Sequence, residues 1–374
     1  RFTRLSSDRT CSAIVLAAGQ GTRMKSSRPK PLHLLAGRAM LLYVLDSLAT
    51  CEVTRVVVVV GHGAERVTKK LQAEEPDLHL SFVEQHQQNG TGDAASVGLT
   101  GLPDDDGPDA DDEHVLVLPG DMPLLRPATI AAMVHEHRSS EAACTVLTAR
   151  VPEPGSYGRV VRGRDGQVER IVERADASPD EVLIDEINTS VYCFRRSLLA
   201  PALRRLSPDN AQGEYYLTDV VAVLREAGYR VGAVTVDDAQ EAEGINDRLQ
   251  LAAAEAELRR RTNERWLAEG VTMVDPASTY LDATVQLGPD VTLFPGTILQ
   301  GSTRVGAGAE IGPHTRLVDC MVGAGAVVEQ SNGRDAEVGA DAKVGPFGYL
   351  APGASVPDGA VTGPFYAAGG PDDG

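Results

Sequence analysis

From residue 284 onward the aliphatic residues fall into a period of six, and few folds can use such a period. Leu287, Leu293, Leu299, Val305, Ile311 and Leu317 are spaced by six without a break. The phase then slips to Val322 and Val328. After an irregular stretch, Val338, Val344, Leu350 and Val356 resume it. Gly, Ala, Pro and Asp fill the corners between them. This is the pattern of a parallel β-helix, with one repeat per flat face and three repeats per coil. A Gly- and Pro-rich loop does not produce an unbroken run of six by chance.

Residues 12–235 have a different character. Short β-branched runs at Ser12–Leu16, Arg55–Val60, Leu78–Glu84 and His114–Leu118 read as strands. Leu32–Thr50, Gly63–Glu74 and Asp93–Leu102 carry apolar residues at helical spacing. The alternation predicts an α/β unit of Rossmann-like type, a parallel sheet covered by helices on both faces. Val56 to Val60 is apolar on both faces, as a buried parallel strand should be. Gly158–Glu173 reads as a hairpin turning at Asp165-Gly166. Asp104–Glu113 reads as a solvated loop. Residues 247–268 are rich in Ala, Leu, Glu and Arg and free of Gly and Pro, so one long helix is expected there. The expected organisation is 12–246 for the α/β domain, 247–270 for a helical arm, 271–366 for the β-helix and 367–374 for a tail.

Against 35 Lys and Arg stand 53 Asp and Glu, a net charge of −18. So acidic a surface repels polyphosphate backbones, which excludes nucleic acid and anionic membranes as general partners. No apolar run approaches the ~18 residues of a spanning helix, and Arg1–Ser12 lacks a signal-peptide core. Cys11, Cys51, Cys144, Cys193 and Cys320 are odd in number and form no CxxC. A reduced cytoplasmic protein with neither a disulfide framework nor a zinc site is expected. The sequence begins at Arg1 rather than Met, which leaves room for residues ahead of it.

In this acidic chain, the stretch from Cys11 to Leu45 contains no Asp or Glu but carries Arg23, Lys25, Arg28, Lys30 and Arg38. It follows the first strand and opens with Ala17-Ala18-Gly19-Gln20-Gly21-Thr22-Arg23. Glycine lets backbone N–H groups approach a phosphate, and the cations neutralise it, so an anion site is expected. GxxxxGK[ST] is absent, and Met24 stands where GxGxxG needs its last glycine. Asp121, in Leu118-Pro119-Gly120-Asp121, follows another strand at the sheet edge where ligands bind. A lone carboxylate there suits Mg²⁺.

The ordered set LAAGQGTRMKSSRPKPLH, EQHQQNGTGDA, LPGDMPLL, YGRVV, IVERADA, EINTSVY, NAQGEYYLTD and EAEGINDRLQL resembles a known family. It is the bacterial bifunctional N-acetylglucosamine-1-phosphate uridylyltransferase/glucosamine-1-phosphate N-acetyltransferase family, over about residues 12–356. The resemblance implies a nucleotidyltransferase domain followed by a short left-handed parallel β-helix, a homotrimer, and dependence on Mg²⁺. It implies UTP and a sugar 1-phosphate as substrates. It further implies that Leu16, Ala17, Ala18 and Gly19 lie along the nucleotide. Arg23 and Lys30 would hold phosphates and act as the catalytic cations. Gln85, Gly90 and Thr91 would read uracil, the amide offering both a donor and an acceptor. Gly158, Glu173, Asn188 and Tyr216 would bind the sugar, and Asp121 with Asn246 the metal.

The chain also departs from the family pattern. GPFGYLAPG stands where the family reads GPFARLRPG, so Tyr349 and Ala351 replace two arginines. No His follows His314, and the chain ends at Gly374. The expectation is that acetyl transfer is lost and the β-helix serves as an oligomerisation rod. Pro119 replaces the usual Tyr or Ser, and Asp93 the usual His of GTGHA. A different sugar 1-phosphate or NTP remains open. A non-catalytic nucleotide-binding scaffold is the reading from another class, and intact Arg23, Lys30, Asp121 and Asn246 argue against it.

Overall fold

The computed structural model describes residues 11–51, 53–74, 78–103 and 113–369. The loop expected at Asp104–Glu113 falls almost wholly outside the described residues, as do residues 1–10 and the tail beyond Gly369. The chain divides into two compact units, residues 1–33 with 39–250 and residues 34–38 with 251–374.

The first unit is built on a nine-stranded sheet. Its main path runs Val231–Thr235, Cys144–Arg150, Glu186–Arg195, His114–Pro119, Cys11–Ala17, Val53–Val60 and His79–Glu84. Alternate residues of one strand enter different cores. Ala13, Val15, Val56 and Val58 pack on one face with Leu41 and Leu45, while Ile14, Val57 and Val59 pack on the other with Ala94 and Ala95. A strand covered on both sides has no polar face to show, hence the five consecutive valines.

The sheet is not wholly parallel as expected. Glu186–Arg195 runs antiparallel to both His114–Pro119 and Cys144–Arg150. A register shift between Asn188 and Tyr192 bulges this strand, with Ser190 at φ 63°. The hairpin Arg159–Arg162/Val168–Val172 forms as expected and pairs with the sheet through Ile187. The helix expected over Leu32–Thr50 is shorter, Met40–Ala49. Ala36 and Gly37 have φ of 42° and 77°, which no helix tolerates, and residues 34–38 belong to the second unit. The helix expected over Asp93–Leu102 runs Thr91–Leu99.

In the second unit the helix Arg248–Ala268, counted here from Leu251, precedes three stacks of parallel strands. One stack aligns Leu293, Ile311, Val328 and Val344, the next Leu299, Leu317, Gly333 and Leu350, the third Leu287, Val305, Val322, Val338 and Val356. The irregular stretch is a strand, Asn332–Arg334, with Gly333 in the inward slot. A Cβ there would lie 3.0 Å from Leu317 and 3.3 Å from the Cys320 sulfur, so these two side chains fill the space a larger residue would take. Thr297, Thr303 and Thr315 are fully buried and bond backbone carbonyls, the Thr297 hydroxyl to Phe294 O at 2.7 Å.

Candidate active site

The carboxyl ends of three parallel strands converge on a cleft of about 420 Å³ in the first unit. Ala17-Ala18-Gly19 leaves the first strand, Gln85 follows His79–Glu84, and Asp121 follows His114–Pro119. This is where open α/β sheets bind ligands, because strand ends and the loops after them leave backbone groups free to meet one. Of the residues expected at the site, Leu16, Ala17, Ala18, Gly19, Lys30, Gln85, Gly90, Thr91, Asp121, Glu173 and Asn246 line the cleft.

Lys30 is the cation of this cleft. Its ammonium pairs with the Asp121 carboxylate and donates to Asn246 Oδ1 at 2.9 Å. Gly21 makes this possible: it turns with φ 63°, and a Cβ on it would stand 2.7 Å from the Lys30 stem. The ammonium thus sits between the two oxygens expected to bind a metal. Both are hard oxygen donors, the kind that a divalent cation takes, and here they share the ammonium. No group of three or more His, Cys, Asp or Glu side chains among the described residues is arranged to hold a metal. An ion here would therefore complete its shell with phosphate and water oxygens, as Mg²⁺ ordinarily does. The donor set fits such an ion.

Arg23 is exposed in the turn Thr22–Met24. It does not line the main cleft. It lines an adjoining depression that shares Gly19, Lys30, Gln88 and Asn246 with the cleft. Arg38 lies in the other unit.

At the opposite wall, Gln85 is buried at 5% exposure. Its Nε2 donates to Asp93 Oδ2 at 2.7 Å and to Gly90 O at 3.3 Å. The amide was expected to face a base with donor and acceptor together, but its donor is engaged and its oxygen is what remains. Gly90 has φ 111°, and a Cβ there would meet Tyr215 O at 2.5 Å, so only glycine fits. Tyr215 N donates to Asn89 O at 2.8 Å, and Leu217 N donates to the Thr91 hydroxyl at 3.0 Å. The NAQGEYYLTD segment therefore braces the Gly90-Thr91 turn.

Glu173 accepts from the Thr218 hydroxyl at 3.2 Å. Burial pushes its carboxyl upward, and Asp219, Asp176 and Glu214 add to the effect. Gly158 lies against it, with space for a Cβ only 3.5 Å from Glu173 Oε2. Neither Gly158, Asn188 nor Tyr216 is among the lining residues. Asn188 is buried, donating to the Tyr192 hydroxyl at 2.8 Å while its Oδ1 accepts from Ser190 N at 3.1 Å. It caps the bulge that brings Thr189 and Ser190 to the cleft wall. Burial pushes the Tyr216 hydroxyl up to about 12, with Asp176, Glu173 and Glu214 adding to it.

Sequence reasoning missed Tyr157, Gln88, Thr189, Ser190, Glu214 and Thr218, all of which line the cleft. Each lies inside one of the motifs already singled out, and that was the available signal. Gln88 Nε2 donates to Ala18 O at 2.7 Å and so shapes the first loop.

Residues 13–227 match the MobA-like NTP transferase domain. The Bifunctional protein GlmU of Corynebacterium aurimucosum is 45% identical over 360 residues, 96% of this chain and 73% of that protein. Its counterpart in Rhodococcus opacus is 48% identical over 347 residues, 91% of this chain and 68% of that protein. The Streptomyces avermitilis counterpart is 47% identical over 350 residues, 93% and 71% of the two.

Proposed function

The chain belongs to the family of the bifunctional GlmU proteins, and from that premise we propose that its first unit transfers a uridylyl group from UTP to N-acetylglucosamine 1-phosphate. The products are UDP-N-acetylglucosamine and pyrophosphate. The observation that carries this reading is Lys30 held between Asp121 and Asn246, in the cleft that also contains Gln85, Gly90 and Thr91.

A sugar-phosphate oxygen attacks the α-phosphorus of UTP in line with the departing pyrophosphate. The nucleophile is already an anion, so no base is needed. The protein must bring two polyanions together and stabilise charge developing on the α-phosphate and leaving group. Lys30 is placed to bridge the α-phosphate and the sugar phosphate. Arg23, in the adjoining depression, serves the β- and γ-phosphates. Asp121 and Asn246 would hold Mg²⁺, which when bound would neutralise phosphate charge. Leu16 to Gly19 run along the nucleotide. Glu173 faces the sugar, with Gly158, Asn188 and Tyr216 shaping the wall behind it.

Three finer points belong to the same reading. The three-sided β-helix is taken as the core of a homotrimer, as the family resemblance implies and as closed rotational symmetry allows. The enzyme is placed in the cytoplasm, in keeping with five buried cysteines without a disulfide. Among the described residues no helix is long and apolar enough to cross a membrane. Acetyl transfer is taken as lost within these coils, since Tyr349 and Ala351 stand where the family carries arginines. Pro119 on the cleft wall favours a second reading, in which the acceptor is a different sugar 1-phosphate.

A panel of NTPs and sugar 1-phosphates, followed by pyrophosphate release, tests the reading. UTP with N-acetylglucosamine 1-phosphate should give the highest kcat/KM, and glucosamine 1-phosphate with acetyl-CoA should release no thiol above background. A tenfold preference for another sugar phosphate would replace the first reading with the second.

A further inference from the structure

We propose that Asp93 is the positioning residue that makes this cleft accept the imide edge of uracil and refuse cytosine. The inference rests on the uridylyltransferase reading above. An amide's oxygen and nitrogen have nearly the same shape, so its partners decide which of them faces a ligand. Gln85 is fixed at the backbone, its N donating to Val60 O at 2.8 Å. Its two amide hydrogens are directed to Asp93 Oδ2 at 2.7 Å and Gly90 O at 3.3 Å. A carbonyl oxygen only accepts, and so does an ionised carboxylate. Turning the amide over would lose both bonds and set Oε1 against two oxygens. The group presented to a base in the cleft is therefore an acceptor.

Uracil carries a hydrogen on N3, whereas cytosine carries a lone pair there. An acceptor at this place bonds the first and repels the second. The two partners that enforce the choice are themselves held in place. Asp93 lies in the first turn of the helix Thr91–Leu99, where a carboxylate is favoured by the helix dipole. That turn is pinned by Gly92 N donating to Tyr215 O at 2.8 Å and by Leu217 N donating to the Thr91 hydroxyl at 3.0 Å. Gly90 O is held as well, accepting from Ala94 N at 3.1 Å, and a Cβ at Gly90 would meet Tyr215 O at 2.5 Å, so no larger residue fits there.

The test compares kcat/KM for UTP and for CTP in the purified full chain. Asp93→Asn can turn either an oxygen or a nitrogen toward Gln85, so both amide orientations become available. Its UTP:CTP ratio should fall about tenfold or more, the scale expected when a polar partner is mismatched in a buried site. Asp93→Ala, which leaves only Gly90 O to orient the amide, should shift the ratio in the same direction. Gln85→Ala should lower it as well. A ratio unchanged in both Asp93 variants, whether or not turnover falls, overturns the role of Asp93. If Gln85→Ala also keeps the original ratio, Gln85 does not read the base. Absence of UTP turnover in the unsubstituted protein is the separate outcome that would overturn the uridylyltransferase reading.

Discussion

Lys30→Ala should lower uridylyl transfer by about 10³-fold while leaving the fold intact, the scale seen when a preorganised group facing transition-state charge is removed. That is roughly 4 kcal/mol of barrier. Lys30 sits in a short turn after the glycine loop, and its buried contacts are to the Asp121 carboxylate and Asn246 Oδ1. On the proposed reading the reacting phosphates enter at this junction, so deletion removes the cation that draws them together. It also frees two oxygens that the ammonium now occupies. Divalent cation binding, followed by calorimetry, should therefore be retained or tightened in the variant even as turnover collapses. Turnover within about threefold of the parent would remove Lys30 from the chemistry.

Asp121→Asn should have nearly as large an effect, a loss of about 10²–10³-fold in kcat/KM, together with a loss of metal affinity. The substitution keeps the shape and one oxygen but removes the negative charge that faces Lys30. A divalent ion would then have two neutral amide oxygens as its protein ligands. The two variants should thus separate, with Lys30→Ala binding metal without turning over and Asp121→Asn losing both. Persistent activity of the parent protein in EDTA would contradict the metal role proposed for Asp121 and Asn246. Titrating the metal against both variants distinguishes a shared structural defect from these opposite phenotypes.

The β-helix was legible because its six-residue period has a single geometric meaning: of the aliphatic residues named at that spacing all are buried except Leu287, which packs half-buried against the same core. Its corner threonines were not legible. Thr297, Thr303 and Thr315 are polar by type but fully buried, and each also bonds a backbone carbonyl of the next coil, Ile311 O, Leu317 O and Val328 O in turn. In the first unit, strands covered on both faces stood out as aliphatic runs. Cys144–Arg150 did not, because Thr145 and Thr148 interrupt it while remaining buried. The antiparallel course of Glu186–Arg195 has no local signature, since direction is set by connections rather than by side-chain pattern. At the site, the acid-free window pointed to Lys30 and the strand end to Asp121. That Lys30 bonds both Asp121 and Asn246, residues 91 and 216 positions away, is a property of the fold and not of spacing. Asn188 shows the opposite case. It lies in a family motif, yet its amide is spent on Tyr192 and Ser190, so motif membership did not imply contact with the cleft.

The most direct test is phosphorus NMR of the protein mixed with UTP, N-acetylglucosamine 1-phosphate and Mg²⁺. Loss of the sugar-phosphate signal should be matched one for one by pyrophosphate and by a pair of coupled resonances from a sugar nucleotide diphosphate. Hydrolysis of UTP with the sugar phosphate untouched, or no change over hours at micromolar protein, would contradict the assignment of this cleft as a uridylyl-transfer site.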